Sequence, residues 1–465
     1  MAAELALGAR AGTESLPFVA AHIQLGDVAA ELGRSRTSLY KLWASQDLFQ
    51  ADLARFLILD HDYRTPAAEL PWNEIVLPAL TSPPGLTDVF ETARCILNEA
   101  QVAVLEDPWI RVRAVMIGYG DAGALADVRQ QVEERRQHDL ADTLSGTFRL
   151  FGLRIAPPTD SHSLAVALWC LGDGFAILSR KLPRLSTATV DIDDGLGPRP
   201  WHLFSFMVRR LLEGALVGQE PSGGTEIDGP HTAGAATPIT AWTEPQRRVL
   251  AVGARLFVER LAPSDELGCT TSVTGLASVT IAAVARRAKV SRRSVYDVWQ
   301  SSEALRLDVL RALVRAEQSY VSGRLDKVIA SVPHTSRSAS TAAITAVLRR
   351  PHLDRIDPGD AANTFLLDLA NPDVAEIFAE GTERTLGATI RRIERLWPSN
   401  PHDTGFQAAA EVRAVALLSL ARGSSRLLRT NPGALVVDRD GRLPQSLVLA
   451  ARTLLDPTED RATQA

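Results

Sequence analysis

One stretch of this chain occurs twice. Residues 27–49 (DVAAELGRSRTSLYKLWASQDLF) and 283–305 (AVARRAKVSRRSVYDVWQSSEAL) align without a gap at an offset of 256. The shared positions are Val28/Val284, Ala29/Ala285, Ser35/Ser291, Arg36/Arg292, Ser38/Ser294, Tyr40/Tyr296, Trp43/Trp299 and Ser45/Ser301. A second echo joins residues 167–183 to 416–432 at an offset of 249, with Gly174 opposite Gly423 and Pro183 opposite Pro432. A repeat of this length constrains the fold more than composition does, because each copy is one structural unit with its own apolar face to bury. The chain is therefore expected to hold two copies of one unit, with small insertions such as residues 263–275 in the second.

Length alone is less informative. At ~150 residues per domain, 465 residues give a soft expectation of about three domains, and a 46% hydrophobic content is ample for a large core. Residues 218–238 (GQEPSGGTEIDGPHTAGAATP) hold almost no large apolar side chains, so they cannot offset their own ordering entropy and read as a flexible linker. Smaller breaks fall at 191–200 and 429–440. Asp191, Asp193 and Asp194 lack the spacing of a twelve-residue calcium loop and read as a solvated loop.

Nearly everything else has helical period. Phe204, Met207, Val208, Leu211, Leu212, Ala215 and Leu216 make one stripe, and Leu447, Ala450, Ala451, Leu454 and Leu455 another. Thr243 and Gln246 form a capping box with Pro245 in the first turn, which starts a helix running to about Leu261. Sustained two-residue alternation is scarce, so no sheet is expected. The fold class is all-α. The expected boundaries are a first small head at 1–58, a helical body at 59–217, a linker at 218–240, a second head at 241–315 and a second body at 316–460.

Within the repeat, a short helix ends near Gly33, and Ser35 caps a second one; Ser291 does the same after 281–289. That is helix-turn-helix spacing, in which the second helix enters a DNA major groove. Its free N–H groups suit a phosphate, and arginines just after the cap can grip phosphate or read guanine bidentately. The candidate DNA-binding residues are Ser35, Arg36, Thr37, Ser38, Tyr40 and Lys41 in the first copy. In the second they are Ser291, Arg292, Arg293, Ser294 and Tyr296, with Arg286, Arg287 and Lys289. The copies differ in charge: residues 21–44 carry +1 and residues 277–300 carry +4. The whole chain is mildly acidic, at −5, which excludes a uniformly basic nucleic-acid coat but leaves room for a local basic patch.

At these residues the sequence resembles the TetR family of transcriptional repressors. Val28-Ala29, Ser35, Tyr40 and Trp43 fit that family's pattern, and so do Val284-Ala285, Val290-Ser291, Tyr296 and Trp299. The likeness covers about 45 residues of each half. Two family features are missing. Leu42 and Val298 stand where a His or Tyr usually grips phosphate, and Gln46 and Ser302 stand where a Lys usually does. The resemblance implies a ligand-responsive regulator with double-stranded operator DNA and a small-molecule effector as partners. It also implies an intramolecular pseudo-dimer, monomeric or further dimerised, in which 161–180 and 201–217 pack on 406–429 and 443–455. Two non-identical heads would read an asymmetric operator. The alternative is a helical ligand-binding or scaffold protein whose heads no longer bind DNA.

Other functions lack a motif. The nine histidines show no metal-binding spacing, and G-x-S-x-G and G-x-x-x-x-G-K are absent, so neither an enzyme nor a metal or cofactor is expected. Cys95, Cys170 and Cys269 are unpaired in spacing, which fits a reducing compartment. The N-terminus is a poor signal peptide, and the apolar run 164–178, broken by Asp173, is too short for a bilayer. A cytoplasmic, membrane-free protein is expected. Trp72, Trp109, Tyr119, Phe148, Phe151 and Trp169 are aromatic candidates for an effector pocket in the first body, which is richer in aromatics than the second.

Overall fold

A computed structural model describes residues 23–59, 126–157, 159–193, 198–218, 280–288, 291–331, 371–396 and 406–430, together with Arg94, Leu97, Asn98, Gln101, Thr243, Ala450, Ala451 and Leu454. Helix makes up 78% of the described residues, so the fold is all-α in class. The expected linker, the helix begun by the Thr243 capping box and the 263–275 insertion lie outside the described residues, apart from Thr243 and Gly218, the latter ending a strand rather than opening the linker.

The first half contains α1 (Leu25–Glu31), α2 (Arg36–Tyr40), α3 (Gln46–Leu59) and α4 (Ala126–Leu150). Then follow β1 (Leu153–Ile155), α5 (Ser161–Lys181), α6 (Arg184–Thr187), β2 (Thr189–Asp193), β3 (Pro198–His202), α7 (Leu203–Ala215) and β4 (Leu216–Gly218). The second half contains α8 (Ile281–Ala288), α9 (Arg292–Tyr296), α10 (Ser302–Ser331), α11 (Pro372–Leu396) and α12 (Phe406–Thr430).

The core is built on α5 and α12. Asp160 caps α5 by accepting a 2.6 Å hydrogen bond from the Ser163 amide, and Arg180 and Lys181 sit in its last turn, where the helix dipole favours cations. At 21 residues α5 is longer than the 164–178 run and is long and apolar enough to cross a bilayer. Here its apolar surface is buried in protein: Leu164, Cys170, Leu171, Phe175 and Leu178 share one cluster with Ala414, Leu417, Leu418 and Leu420 of α12. Met207, Val208, Leu211 and Leu212 of α7 join the same cluster, as do Ala450, Ala451 and Leu454. The first sequence stripe thus faces this core, as do the described residues of the second; Leu447 and Leu455 lie outside the described residues. Phe204 lies partly outside it and stacks on Phe175 at 5.4 Å between ring centroids.

Where α5 and α12 cross, two glycines let the backbones touch. A Cβ on Gly174 would lie 1.8 Å from the Ser419 carbonyl oxygen, and one on Gly423 would lie 1.9 Å from that of Cys170. Residue 170 is the counterpart of 419, and 174 of 423, at the offset of 249. The contact is therefore reciprocal: each helix offers its glycine to the same position on the other.

The expectation of no sheet is corrected in detail. β1 pairs antiparallel with β4, and β2 with β3, as two separate two-stranded ribbons. Strands of three to five residues are too short for a two-residue alternation to register. The break at 191–200 is part of the β2–β3 hairpin, with Asp191 and Asp193 in its first strand and Val190 opposite Trp201.

A second cluster gathers Ile281, Val284 and Ala285 of α8, Val295 of α9, Leu305, Val309, Leu310 and Leu313 of α10, and Val374, Ile377 and Phe378 of α11. Ile177 of α5 is buried with them.

The crossing predicts that the same substitution has one sign at its two glycines and the opposite sign at a third helical glycine. Gly174→Ala or Gly423→Ala should cost at least about 2 kcal/mol, because overpacking against backbone outweighs the ~1 kcal/mol gain in helix propensity. Gly146→Ala, in α4 with nothing within 4 Å of the new methyl, should gain up to about 1 kcal/mol. Urea unfolding followed by circular dichroism checks both, and destabilisation by all three would remove the crossing as the cause.

Candidate nucleic-acid interface

Each half holds a pair of short helices joined by a tight turn. In the first, Leu25, Val28 and Ala29 bury one face of α1. The helix then stops at Gly33, whose φ of 60° is open to glycine at little cost. The Gly33 amide donates to Ala30 O at 3.1 Å and the Arg34 amide to Ala29 O at 2.8 Å, the paired bonds that satisfy orphan carbonyls at a glycine-terminated helix end. Two residues later Ser35 starts α2.

The side-chain chemistry of the two copies matches position by position. Ser35 Oγ accepts from the Ser38 amide at 3.2 Å, and Ser291 Oγ from the Ser294 amide at 3.0 Å. Leu39 and Val295 are buried beneath the second helix in each case. Trp43 Nε1 donates to Asp52 Oδ2 and Trp299 Nε1 to Asp308 Oδ2, both at 2.9 Å, and these partners too are 256 residues apart. Ser45 accepts from the Leu48 amide at 3.2 Å and Ser301 from the Ala304 amide at 3.1 Å, which caps α3 and α10. The sequence marks the two tryptophans as shared by the copies and by the family pattern, but not their aspartates. The signal was available as a Trp-x8-Asp spacing present in both copies.

The predicted contact residues lie on the outer surface of these helices. Arg36, Thr37 and Lys41 are exposed, with Ser38 and Tyr40 half-buried; Arg34 is exposed as well. Arg36 Nη2 donates to Tyr40 Oη at 3.1 Å, with the guanidinium 5.5 Å from the ring centroid. On the second copy Arg286, Ser291, Arg292, Arg293 and Ser294 are exposed, and Tyr296 is 52% exposed. Arg287 belongs to α8, and Lys289 lies outside the described residues. One surface in each half therefore collects a helix start, outward arginines and a tyrosine. Such a surface can hold phosphate at the helix N-terminus and offer guanidinium groups to base edges.

Gln46, noted in the sequence only as a missing phosphate contact, has a structural task. Its Oε1 accepts from the Leu25 amide at 2.9 Å and its Nε2 donates to Ile23 O at 2.8 Å, tying down the start of α1. Gln50 adds a 3.3 Å bond to the same carbonyl. No local pattern reveals this, since donor and acceptor are 21 residues apart. Val298, at the other missing phosphate contact, is 66% exposed.

The aromatic pocket candidates are not brought together among the described residues. Phe148 and Phe151 are buried in the main core, and Trp169 is half-buried on α5. Trp72, Trp109 and Tyr119 lie outside the described residues. A polar feature of the first body is instead buried on α4. Gln137 is fully inaccessible, and neither its Oε1 nor its Nε2 has a hydrogen-bond partner.

Compared with known proteins, the chain matches no family model and no curated protein.

The Trp299–Asp308 pair makes a pH prediction. The indole N–H, followed by Arg311, holds the Asp308 carboxyl below its ordinary value. A depressed carboxylate contributes stability that is present above the unfolded pKa of ~3.9 and is lost as pH falls through the folded value. The side chain is half exposed, so the contribution should stay under about 1 kcal/mol. Asp308→Asn should therefore shrink the drop in urea midpoint between about pH 5 and pH 3. An undiminished drop would show that other carboxylates carry it.

Proposed function

We propose that this chain is a ligand-responsive, DNA-binding transcriptional regulator. In this reading α2 and α9 are the recognition helices of two non-identical helix-turn-helix heads carried by one pseudo-dimeric chain. The observation that carries the reading is the doubled constellation of serine cap, outward arginine, tyrosine and hydrogen-bonded Trp–Asp pair at one constant offset. A single capped turn is common in helical proteins; a pair with matching exposed cations is what a two-half-site duplex requires. Fusion supports it physically, since a covalent link keeps one half at high effective concentration for the other and makes pairing independent of dilution. The reciprocal glycine crossing supplies the two-fold relation that would set the heads against successive half-sites, one DNA turn or a multiple apart.

The heads would contribute unequally. The second carries +4 over residues 277–300 and the first +1 over 21–44, and in the first Arg36 is engaged by Tyr40. Phosphate contacts supply most non-specific affinity, so the second head should dominate binding. An effector would act on the bodies and, as in most regulators the sequence resembles, release the DNA. The fully buried Gln137 amide supports a ligand in the first body: a buried unpaired amide costs about 1–3 kcal/mol, and a hydrogen-bonding ligand would relieve it. The competing reading, a helical scaffold with degenerate heads, draws on Gln46 and Val298, which occupy phosphate positions without a charge.

Fluorescence anisotropy with the duplex upstream of the protein's own gene separates the two. The regulator should bind it in preference to a scrambled duplex and weaken steeply with salt. Arg292→Ala should cost about 1–3 kcal/mol, with a salt slope lower by about one, and Arg36→Ala distinctly less. Absence of any salt-sensitive, sequence-preferring binding at low salt would leave the scaffold reading. Equal losses at Arg36 and Arg292 would sink the inequality of the heads.

A further inference from the structure

The end of α5, in the first half, reaches into the second head. Ile177 is buried in the cluster formed by α8, α9, α10 and α11, which also holds Val284, Val295 and Leu310. One turn on, Lys181 is only 1% exposed; its Nζ lies 3.7 Å from Glu317 Oε2 on α10 and 5.0 Å from the ring centroid of Phe378 on α11. The other Glu317 oxygen takes Arg422 Nη2 of α12 at 2.6 Å. Just past the helix, Arg184 pairs with Glu383 of α11 at 2.6 and 3.0 Å and with Glu411 of α12 at 2.6 Å. Residues 177 and 181 fall on one face of α5, and Arg184, at the start of α6, continues these contacts just past its end.

The arrangement has no counterpart in the sequence of the other half. At the offset of 249, Ile177, Lys181 and Arg184 correspond to Arg426, Thr430 and Gly433, and Arg422 corresponds to Asp173. At the offset of 256, Glu317 corresponds to His61. An apolar anchor is exchanged for a cation, and a cation for an anion. The same contacts cannot form around the first head.

We infer that α5 of the first half is the seat of the second head, and that the first body is coupled to α8–α10 through Ile177, Lys181 and Glu317, with no equivalent coupling of the second body to the first head. The inference deepens the proposed regulation, and its meaning for DNA rests on that reading; the coupling itself does not. The physical basis is the cost of half-breaking a buried ion cluster. A Lys181 withdrawn from Glu317 without solvent leaves a charge stranded beside Phe378, so the cluster is either closed or opened to water. Such an element has discrete states, which is what transmission between distant sites needs. The consequence is specific. A ligand sensed in the first body would act on the more basic of the two heads, the one whose release matters most for affinity.

Amide hydrogen exchange on the full chain tests this without DNA. Glu317→Gln should accelerate exchange across 281–314 by about tenfold or more while 25–59 changes by less than about twofold. Lys181→Met should do the same. If either variant fails to give a wild-type helical spectrum, Arg184→Ala, at the exposed rim, should still accelerate 281–314 selectively by about threefold. Unchanged exchange in 281–314, or equal acceleration in both heads, overturns the seat. Failure of the wild-type chain to bind the upstream duplex would overturn the regulator reading alone, because the exchange comparison decides the coupling either way.

Discussion

The structure depends on two backbones being allowed to touch. Helices packed through ordinary side chains stay 8–10 Å apart, and their relative rotation is set loosely by ridges and grooves. At Gly174 and Gly423 no Cβ intervenes, and each Cα sits against a carbonyl of the facing helix. That fixes both the separation and the register of α5 on α12. Because the contact is reciprocal, it also relates the two halves at a single point from which everything else is measured. The apolar stripe of α7 and the buried Ala450, Ala451 and Leu454 complete the core around it. The far end of α5 is thereby placed where Ile177, Lys181 and Arg184 meet α10, α11 and α12.

Outside that crossing, local chemistry shapes the candidate interface. A five-residue helix is too short to be stable by propensity. What holds α2 and α9 is a capping serine at one end, a buried Leu39 or Val295 beneath, and a tryptophan pinned by its indole hydrogen bond to an aspartate on the following helix. The long α10 then carries the second head's position into the body, with a Cβ on Gly381 of α11 only 2.1 Å from Val314 Cγ1, another close approach. The outward faces of the short helices keep Arg36 and Arg292 in common and differ at the next residue, Thr37 against Arg293, both exposed.

Legibility followed the range of the interactions. Caps are written within three residues, so Ser35, Ser291 and Asp160 could be read or would have yielded to a closer look. Stripes are written every three or four residues, so α7 was visible. The repeat pointed to Gly174 and Gly423 as equivalents, though only the packing shows why neither tolerates a side chain. The two ribbons escaped notice because strands of three to five residues carry almost no periodic signal. The structural role of Gln46 went unread since its partners lie more than twenty residues away. The ion cluster was the least legible. Lys181, Glu317 and Arg422 are far apart in the chain, and each reads in isolation as an ordinary solvated charge.

That last feature bears on why a duplicated unit would be kept in one chain. In a symmetric homodimer every substitution appears on both sides of the two-fold axis, so a cation placed at one half's bundle helix is placed at the other's as well. A seat of the kind made by Ile177, Lys181 and Arg422 would then form twice or not at all. In a fused chain the counterparts vary independently, and here they have become Arg426, Thr430 and Asp173. Charge divergence between the heads and divergence of their mechanical anchoring are then the same freedom used twice. The copy with more cations over its helix pair is also the copy clamped to the other half's bundle. Under the proposed reading, one head is specialised for affinity and for receiving a signal, and the other supplies the second half of a fixed geometry. The crossing at Gly174 and Gly423 stays symmetric because it must, while the surfaces it positions are under no such requirement.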